Sequence, residues 1–124
     1  MTEGFADPAL VEGYHAHLYY DPDTRAFAER LRLEIGQRFR VRVGSWHDEP
    51  VGPHPQAMFQ LAFAAAEFAR LVPWLQLNHG ALCVLIHPMT QDAVADHSHF
   101  ALWLGKPLPL RLEVLPRANS PTEK

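Results

Sequence analysis

An α+β sandwich, with two helices on one face of an antiparallel sheet, is the fold this sequence predicts, and three observations predict it. The spacing of apolar residues switches several times between the strand repeat of two and the helical repeat. The resulting segments follow the order βαββαβ with a C-terminal extension, the split βαβ or ferredoxin-like arrangement. No helix separates the second and third strands, which argues against a parallel α/β sheet. With 124 residues, 48% of them hydrophobic, the chain is expected to form a single domain with a sizeable core. That core spans about residues 13–115, and residues 1–12 and 116–124 are expected to be loose ends.

Each element has its own signal. Residues 13–20 alternate small or apolar positions with aromatic ones and read as a first strand. Asp21-Pro22-Asp23-Thr24 supplies turn and N-cap chemistry for a helix over 25–37, where Phe27, Leu31 and Ile35 share one face. Val41 and Val43 alternate within a second strand over 39–46, and the Pro- and Gly-rich residues 47–55 form a loop. Phe59, Leu61 and Phe63 alternate within a third strand over 57–63. A second helix over 64–72 carries Phe68, Leu71, Val72 and Leu75 as its stripe, and Pro73 is expected to break or kink it before a short turn at 74–77. Residues 82–86 form a compact buried strand, followed by a polar loop to about Asp96, a less regular stretch over 98–104 and a candidate edge strand over 108–114.

Composition excludes several classes of function. A net charge of −3, with two lysines among 11 basic residues, leaves no nucleic-acid footprint. No apolar run approaches the roughly 20 residues of a membrane helix. The N-terminal Met1-Thr2-Glu3-Gly4-Phe5 lacks the basic-then-apolar pattern of a secretion signal. The single cysteine, Cys83, rules out an internal disulfide framework and a cysteine-rich zinc site, so a cytoplasmic setting is expected. Eight histidines in so short a chain stand out.

Strand periodicity locates them. His15 and His17, at i and i+2, share a face of the first strand, which is central in this fold. If Phe59, Leu61 and Phe63 face the helices, Met58, Gln60 and Ala62 lie on the open face of the sheet. By the same alternation, Cys83, Leu85 and His87 of the fourth strand and Arg42 and Trp46 of the second belong there too. His54, within Gly52-Pro53-His54-Pro55, and His97, within Asp96-His97-Ser98-His99, lie on loops able to close over that face. Neutral imidazole ligates iron, zinc, copper or nickel, and Asp48, Glu49 and Asp96 are loop carboxylates near candidate ligands, with nothing in the sequence to select one of them. Arg42, Trp46 and Gln60 are candidate substrate contacts. Taken singly, the histidines have plainer readings: His79, before Gly80, as a cation at a helix C-terminus, and His47 as a surface loop group, while His99 is uninformative. Convergence on one face points instead to a site.

The strand Tyr14-His15-Ala16-His17-Leu18-Tyr19-Tyr20 resembles the opening motif of the small DOPA 4,5-dioxygenase family of fungi and bacteria. Gly52-Pro53-His54-Pro55 leading into Met58-Phe59-Gln60 is similar to its second histidine motif, and Leu85-Ile86-His87-Pro88-Met89-Thr90 to its third. Asp96-His97 followed by Ala101-Leu102-Trp103-Leu104-Gly105 resembles its fourth. The resemblance implies a ferredoxin-like, homodimeric protein that opens a catechol such as L-DOPA with O2 at non-haem Fe(II), another divalent metal such as Zn replacing iron in purified protein. It brings forward His15, His17, His54, His87 and His97. Among these five, His15, His17 and His87 are assigned to the metal, His54 is an alternative ligand and His97 is the acid/base candidate. A carboxylate ligand and an all-histidine site both stay open. A non-catalytic metal- or small-molecule-binding domain and a cofactor-free monooxygenase are the rival functions.

Overall fold

The computed structural model describes residues 4–116. In chain order the elements are β1 (Tyr14–Tyr19), α1 (Arg25–Arg38), β2 (Arg42–His47), β3 (Met58–Phe63), α2 (Phe68–Asn78), β4 (Cys83–Pro88), a four-residue α3 (Ala93–Asp96) and β5 (Leu102–Leu104). The strands form one sheet in the order β2-β3-β1-β4-β5, with antiparallel neighbours throughout. The expected βαββαβ ferredoxin-like unit is therefore present, and β5 extends it beyond β4.

The main core lies between the sheet and the two long helices. Ala16 and Leu18 of β1, Phe59, Leu61 and Phe63 of β3, and Val84 and Ile86 of β4 pack there, with Leu82 just before β4. They meet Ala28, Leu31 and Ile35 of α1 and Leu71, Val72 and Leu75 of α2. The entry to α1 is fixed reciprocally: the Thr24 amide donates to Asp21 Oδ1 and the Asp21 amide donates to Thr24 Oγ1, each at 3.0 Å. After α2 the chain reverses through Gly80, at φ +60°, where a Cβ would meet the Phe27 ring at 2.9 Å. Glycine is thus required both by conformation and by space.

Four expectations need correction. Helix α2 runs through Pro73 to Asn78 instead of ending before it. Proline inside a helix costs roughly 3 kcal/mol, but Leu71, Val72 and Leu75 are buried on both sides of it, at roughly 1.5–3 kcal/mol each, so the core holds the helix together. Trp46 does not lie on the open face. The register between β2 and β3 shifts between Val43 and Trp46, which places Trp46 opposite Phe59 on the helix side. There it stacks on Phe59 and Tyr20 and donates from Nε1 to Asp48 at 3.0 Å. The same bulge brings His47, expected in a loop, into β2 opposite Met58. Finally, residues 108–114 form no strand: Leu108 and Leu110 pack across Tyr19, Met58 and Leu85, and a 3-10 turn (Leu112–Val114) follows. Of the expected loose ends, residues 1–3 and 117–124 lie outside the described residues; the chain before β1 is tied down where the Glu12 amide donates to the Met89 carbonyl and the Met89 amide to that of Gly13 (both 2.8 Å).

Candidate metal centre

Residues directly opposite one another in antiparallel strands project to the same face, so the register places the side chains of the open face in rows. One row runs Arg42, Ala62, His15, His87 across β2, β3, β1 and β4. The next runs Gln60, His17, Leu85, Trp103 across β3, β1, β4 and β5. A third holds His47, Met58, Tyr19 and Cys83. His15, His17 and His87 are therefore neighbours by pairing alone, each held by a sheet hydrogen-bond ladder.

Two loops add the other imidazoles. The His54 amide donates to the Val51 carbonyl at 3.0 Å, closing the Pro-rich turn and setting the His54 ring 4.1 Å from that of His17, centre to centre. His97 caps α3, and its ring centre lies 4.0 Å from that of His87. Buried Asp96 braces the loop by accepting from the Thr90 amide (2.9 Å) and the Thr90 hydroxyl (2.6 Å), while Asp92 Oδ1 caps the Ala95 amide at 3.1 Å. All five histidines singled out in the sequence thus meet in one cluster.

Among the described residues, the group with donor atoms close enough to hold one ion is His15, His17 and His87, whose nitrogens all lie within 4.8 Å of one another. His17 Nε2 and His87 Nε2 are 3.2 Å apart. Two nitrogens bound to one ion at about 2.0–2.1 Å are separated by roughly 2.9–3.4 Å at octahedral or tetrahedral angles, so this pair is already at ligand spacing. His87 Nδ1 lies 2.9 Å from the Pro88 carbonyl, which can only accept, so the proton is on Nδ1 and Nε2 presents a lone pair. Buried His17 Nδ1 has no hydrogen-bond partner, leaving Nε2 as the ring's one engaged nitrogen. Without a metal, His17 Nε2 therefore donates to His87 Nε2, and a bound ion would take the place of that proton as it moves to the unpartnered Nδ1; donor type and spacing fit a divalent transition metal. Asp96 is committed to Thr90, and Asp48 accepts from Tyr20, Arg25 and Trp46 on the other side of the sheet, so neither joins the imidazoles.

Electrostatics keeps His15, His17, His54 and His87 neutral. Burial, and then its imidazole neighbours, hold His17 well below the ordinary histidine range. Burial and the facing His97 lower His87 to about 3, despite the opposing pull of the Pro88 carbonyl. His54 falls to about 4 through burial and then His97 and His47. His15 is lowered by burial, His97 and Arg42. Neutral imidazole is the ligating form.

Half-buried His15 opens to solvent through a cavity of about 330 Å³, whose wall includes Arg42, Ala62, Glu12 and Met89. Gln60 pairs with His17 and is half-buried beside it. A larger cavity of about 510 Å³, near Tyr20, Arg25 and Asp48, holds none of the five imidazoles, and its charges already pair with each other. Two contributors were not visible in the sequence reading. His47 reaches this face only through the bulge between Val43 and Trp46. Tyr19 follows His17 by two residues, a spacing that does put it on the same face.

Fold and side chains together define a ferredoxin-like domain whose helix-free face carries a histidine cluster able to hold a metal ion. The chain belongs to the Dopa 4,5-dioxygenase family, whose model matches residues 14–114. It is similar to a crystal structure of a candidate dioxygenase from Nostoc punctiforme, with a TM-score of 0.88 and 46% identity over 89% of this chain and 96% of that one. Among sequences, a 21.2 kDa protein of Botryotinia fuckeliana described as uncharacterized is 33% identical over 90% of this chain and 67% of its own length. DOPA 4,5-dioxygenase of Amanita muscaria is 28% identical over 86% of this chain and 50% of its own length. The chain thus spans between half and two thirds of these two relatives.

Proposed function

We propose that this protein is an extradiol dioxygenase that opens a catechol, with L-DOPA as the first candidate, using O2 at Fe(II) held by His15, His17 and His87. The observation that carries the reading is the convergence of three neutral imidazoles on one sheet face, one of which, His15, lines a cavity that Arg42 borders. Bound iron supplies the electronic coupling between catechol and dioxygen and lowers the pKa of a bound hydroxyl.

The chain's own residues do the rest. His97 Nδ1 lies 2.8 Å from the Ala93 carbonyl, so its proton is on Nδ1 and Nε2 is free to accept a catechol proton. Arg42, in the same row as His15, is suited to bind a substrate carboxylate. Gln60 offers an amide beside His17. The buried His17 and His87, 2% and 1% exposed, keep bulk water from the inner side of the centre. A homodimer remains part of this reading on the family resemblance, and sedimentation velocity tests it. The lone half-buried thiol of Cys83 agrees with a cytoplasmic setting. Among the described residues no helix is long and apolar enough to cross a membrane.

The test is oxygen consumption by anaerobically iron-loaded protein given L-DOPA, with product absorbance followed and a metal-free control. Iron-dependent uptake with a yellow ring-opened product is expected. His97→Ala should keep its iron and lose about 10²–10⁴-fold in turnover; loss of iron in that variant would sink the role given to His97. Activity that survives chelation would favour a cofactor-free monooxygenase. Metal binding without oxygen uptake on any catechol would favour a binding domain.

A further inference from the structure

Tyr19 has no part in the mechanism above, yet it is tied to the cluster. It is 1% exposed, its ring stacks on Trp103 with centres 6.0 Å apart, and its hydroxyl lies 2.7 Å from His54 Nδ1. Among the described residues the hydroxyl has no other hydrogen-bond partner. A buried O–H without an acceptor costs roughly 1–3 kcal/mol, and His54 Nδ1 is the acceptor within reach. Tyr19 therefore donates, Nδ1 accepts, and the proton of the neutral His54 ring sits on Nε2.

This is the reverse of His87 and His97. Their Nδ1 atoms face the Pro88 and Ala93 carbonyls, which leaves Nε2 of each as a lone pair. A hydroxyl can donate where a carbonyl cannot, so one buried tyrosine inverts the tautomer of one imidazole in the cluster. His54 also stands outside the group of three whose nitrogens lie within 4.8 Å of one another, although its ring is 4.1 Å from that of His17.

We propose that Tyr19 fixes His54 as an Nε2–H donor to an anionic oxygen of the substrate, a catecholate or similar oxyanion, and so removes His54 from the ligand set. The identity of that oxyanion rests on the ring-cleavage reading; the tautomer does not. A neutral imidazole N–H held in place in a buried site stabilises developing negative charge without reorganising. Tyr19 is a positioning residue, and His54 is the group that meets substrate.

Long-range 1H–15N NMR of the histidine rings in the full chain, without metal and with Zn2+, tests this directly. In the metal-free wild type, His54 should carry its proton on Nε2 while His87 and His97 carry theirs on Nδ1. The Tyr19→Phe variant keeps the ring and should lose the His54 preference while leaving His87 and His97 unchanged. Adding Zn2+ should move the Nε2 resonances of His17 and His87 and leave that of His54. In iron-loaded protein, His54→Ala should lose about 100-fold in turnover at unchanged metal content, and His54→Gln, whose amide N–H lies near the place of Nε2, should recover much of it. A wild-type His54 protonated on Nδ1, a His54 Nε2 that responds to zinc as His87 does, or metal loss in His54→Ala would each overturn the proposal. Failure of the wild type to consume oxygen would overturn the ring-cleavage reading alone, and the tautomer and zinc measurements would still decide the role of His54.

Discussion

At the scale of single residues, the site is a set of imidazoles that must stay neutral. The ordinary histidine pKa is about 6.5, whereas burial and mutual repulsion bring His54 to about 4 and His87 to about 3. Between those values and about 6.5 the unfolded chain binds more protons than the folded one, so stability rises with pH across that window. The metal-free protein should be fully stable above about pH 6.5 and should weaken steadily as the pH falls toward 4. Urea midpoints at a series of pH values check this, and a flat profile would contradict the burial of neutral rings. His87→Ala, by removing a nitrogen already at ligand spacing, should lose stoichiometric metal binding in equilibrium dialysis. That these histidines cluster was legible in the sequence, because period-two alternation and four short motifs converge on them. Their tautomers were not, since these depend on which carbonyl or hydroxyl faces each Nδ1.

At the scale of elements, register decides which side chains meet, and local irregularities decide where reading the sequence fails. Alternation placed Gln60 and His87 correctly because β3, β1 and β4 pair without interruption, and Arg42 because it precedes the irregularity in β2. It failed at Trp46 because one bulge in β2 exchanges the faces of Trp46 and His47. A bulge is selected by pairing with the neighbouring strand, so the pattern of β2 alone does not reveal it. Pro73 misled for the opposite reason: a strong local signal is overridden by burial on both sides of it. The loop from β4 to α3 is braced by one carboxylate. Asp96→Ala should leave the Thr90 amide and hydroxyl without their acceptor, lower stability by roughly 1–3 kcal/mol and slow turnover by releasing His97, with metal content preserved. Thermal melts and metal analysis of the same samples separate those effects.

At the scale of the whole molecule, the two faces of the sheet do different work. One is sealed by α1 and α2 and carries the main core. The other is part hydrophobic and part imidazole: Tyr19, Met58 and Leu85 are covered by Leu108 and Leu110, and the histidines adjoin them. The covering strap is tied to the site, because the Arg111 amide donates at 2.8 Å to the carbonyl of Pro53, the residue before His54. Leu110→Ala should cost about 1–2 kcal/mol and loosen both segments together, seen as faster hydrogen exchange at Arg111 and at the His54 amide. No edge-strand pattern could have shown that residues 108–114 lie across the sheet instead of beside it, since both placements bury alternate leucines. Two loop carboxylates, meanwhile, are engaged away from the imidazoles, Asp96 with Thr90 and Asp48 with Arg25, while Glu12 stands in the wall of the cavity that reaches His15. On the proposed reading, a ligand shell of three neutral rings would leave a dication's two positive charges uncancelled by its protein ligands. Hydroxide or a substrate oxyanion would then bring the balancing charge. On that reading a catechol that sheds both protons would supply a matching dianion, whereas a simple phenol would supply one negative charge, so such a shell would favour adjacent hydroxyls.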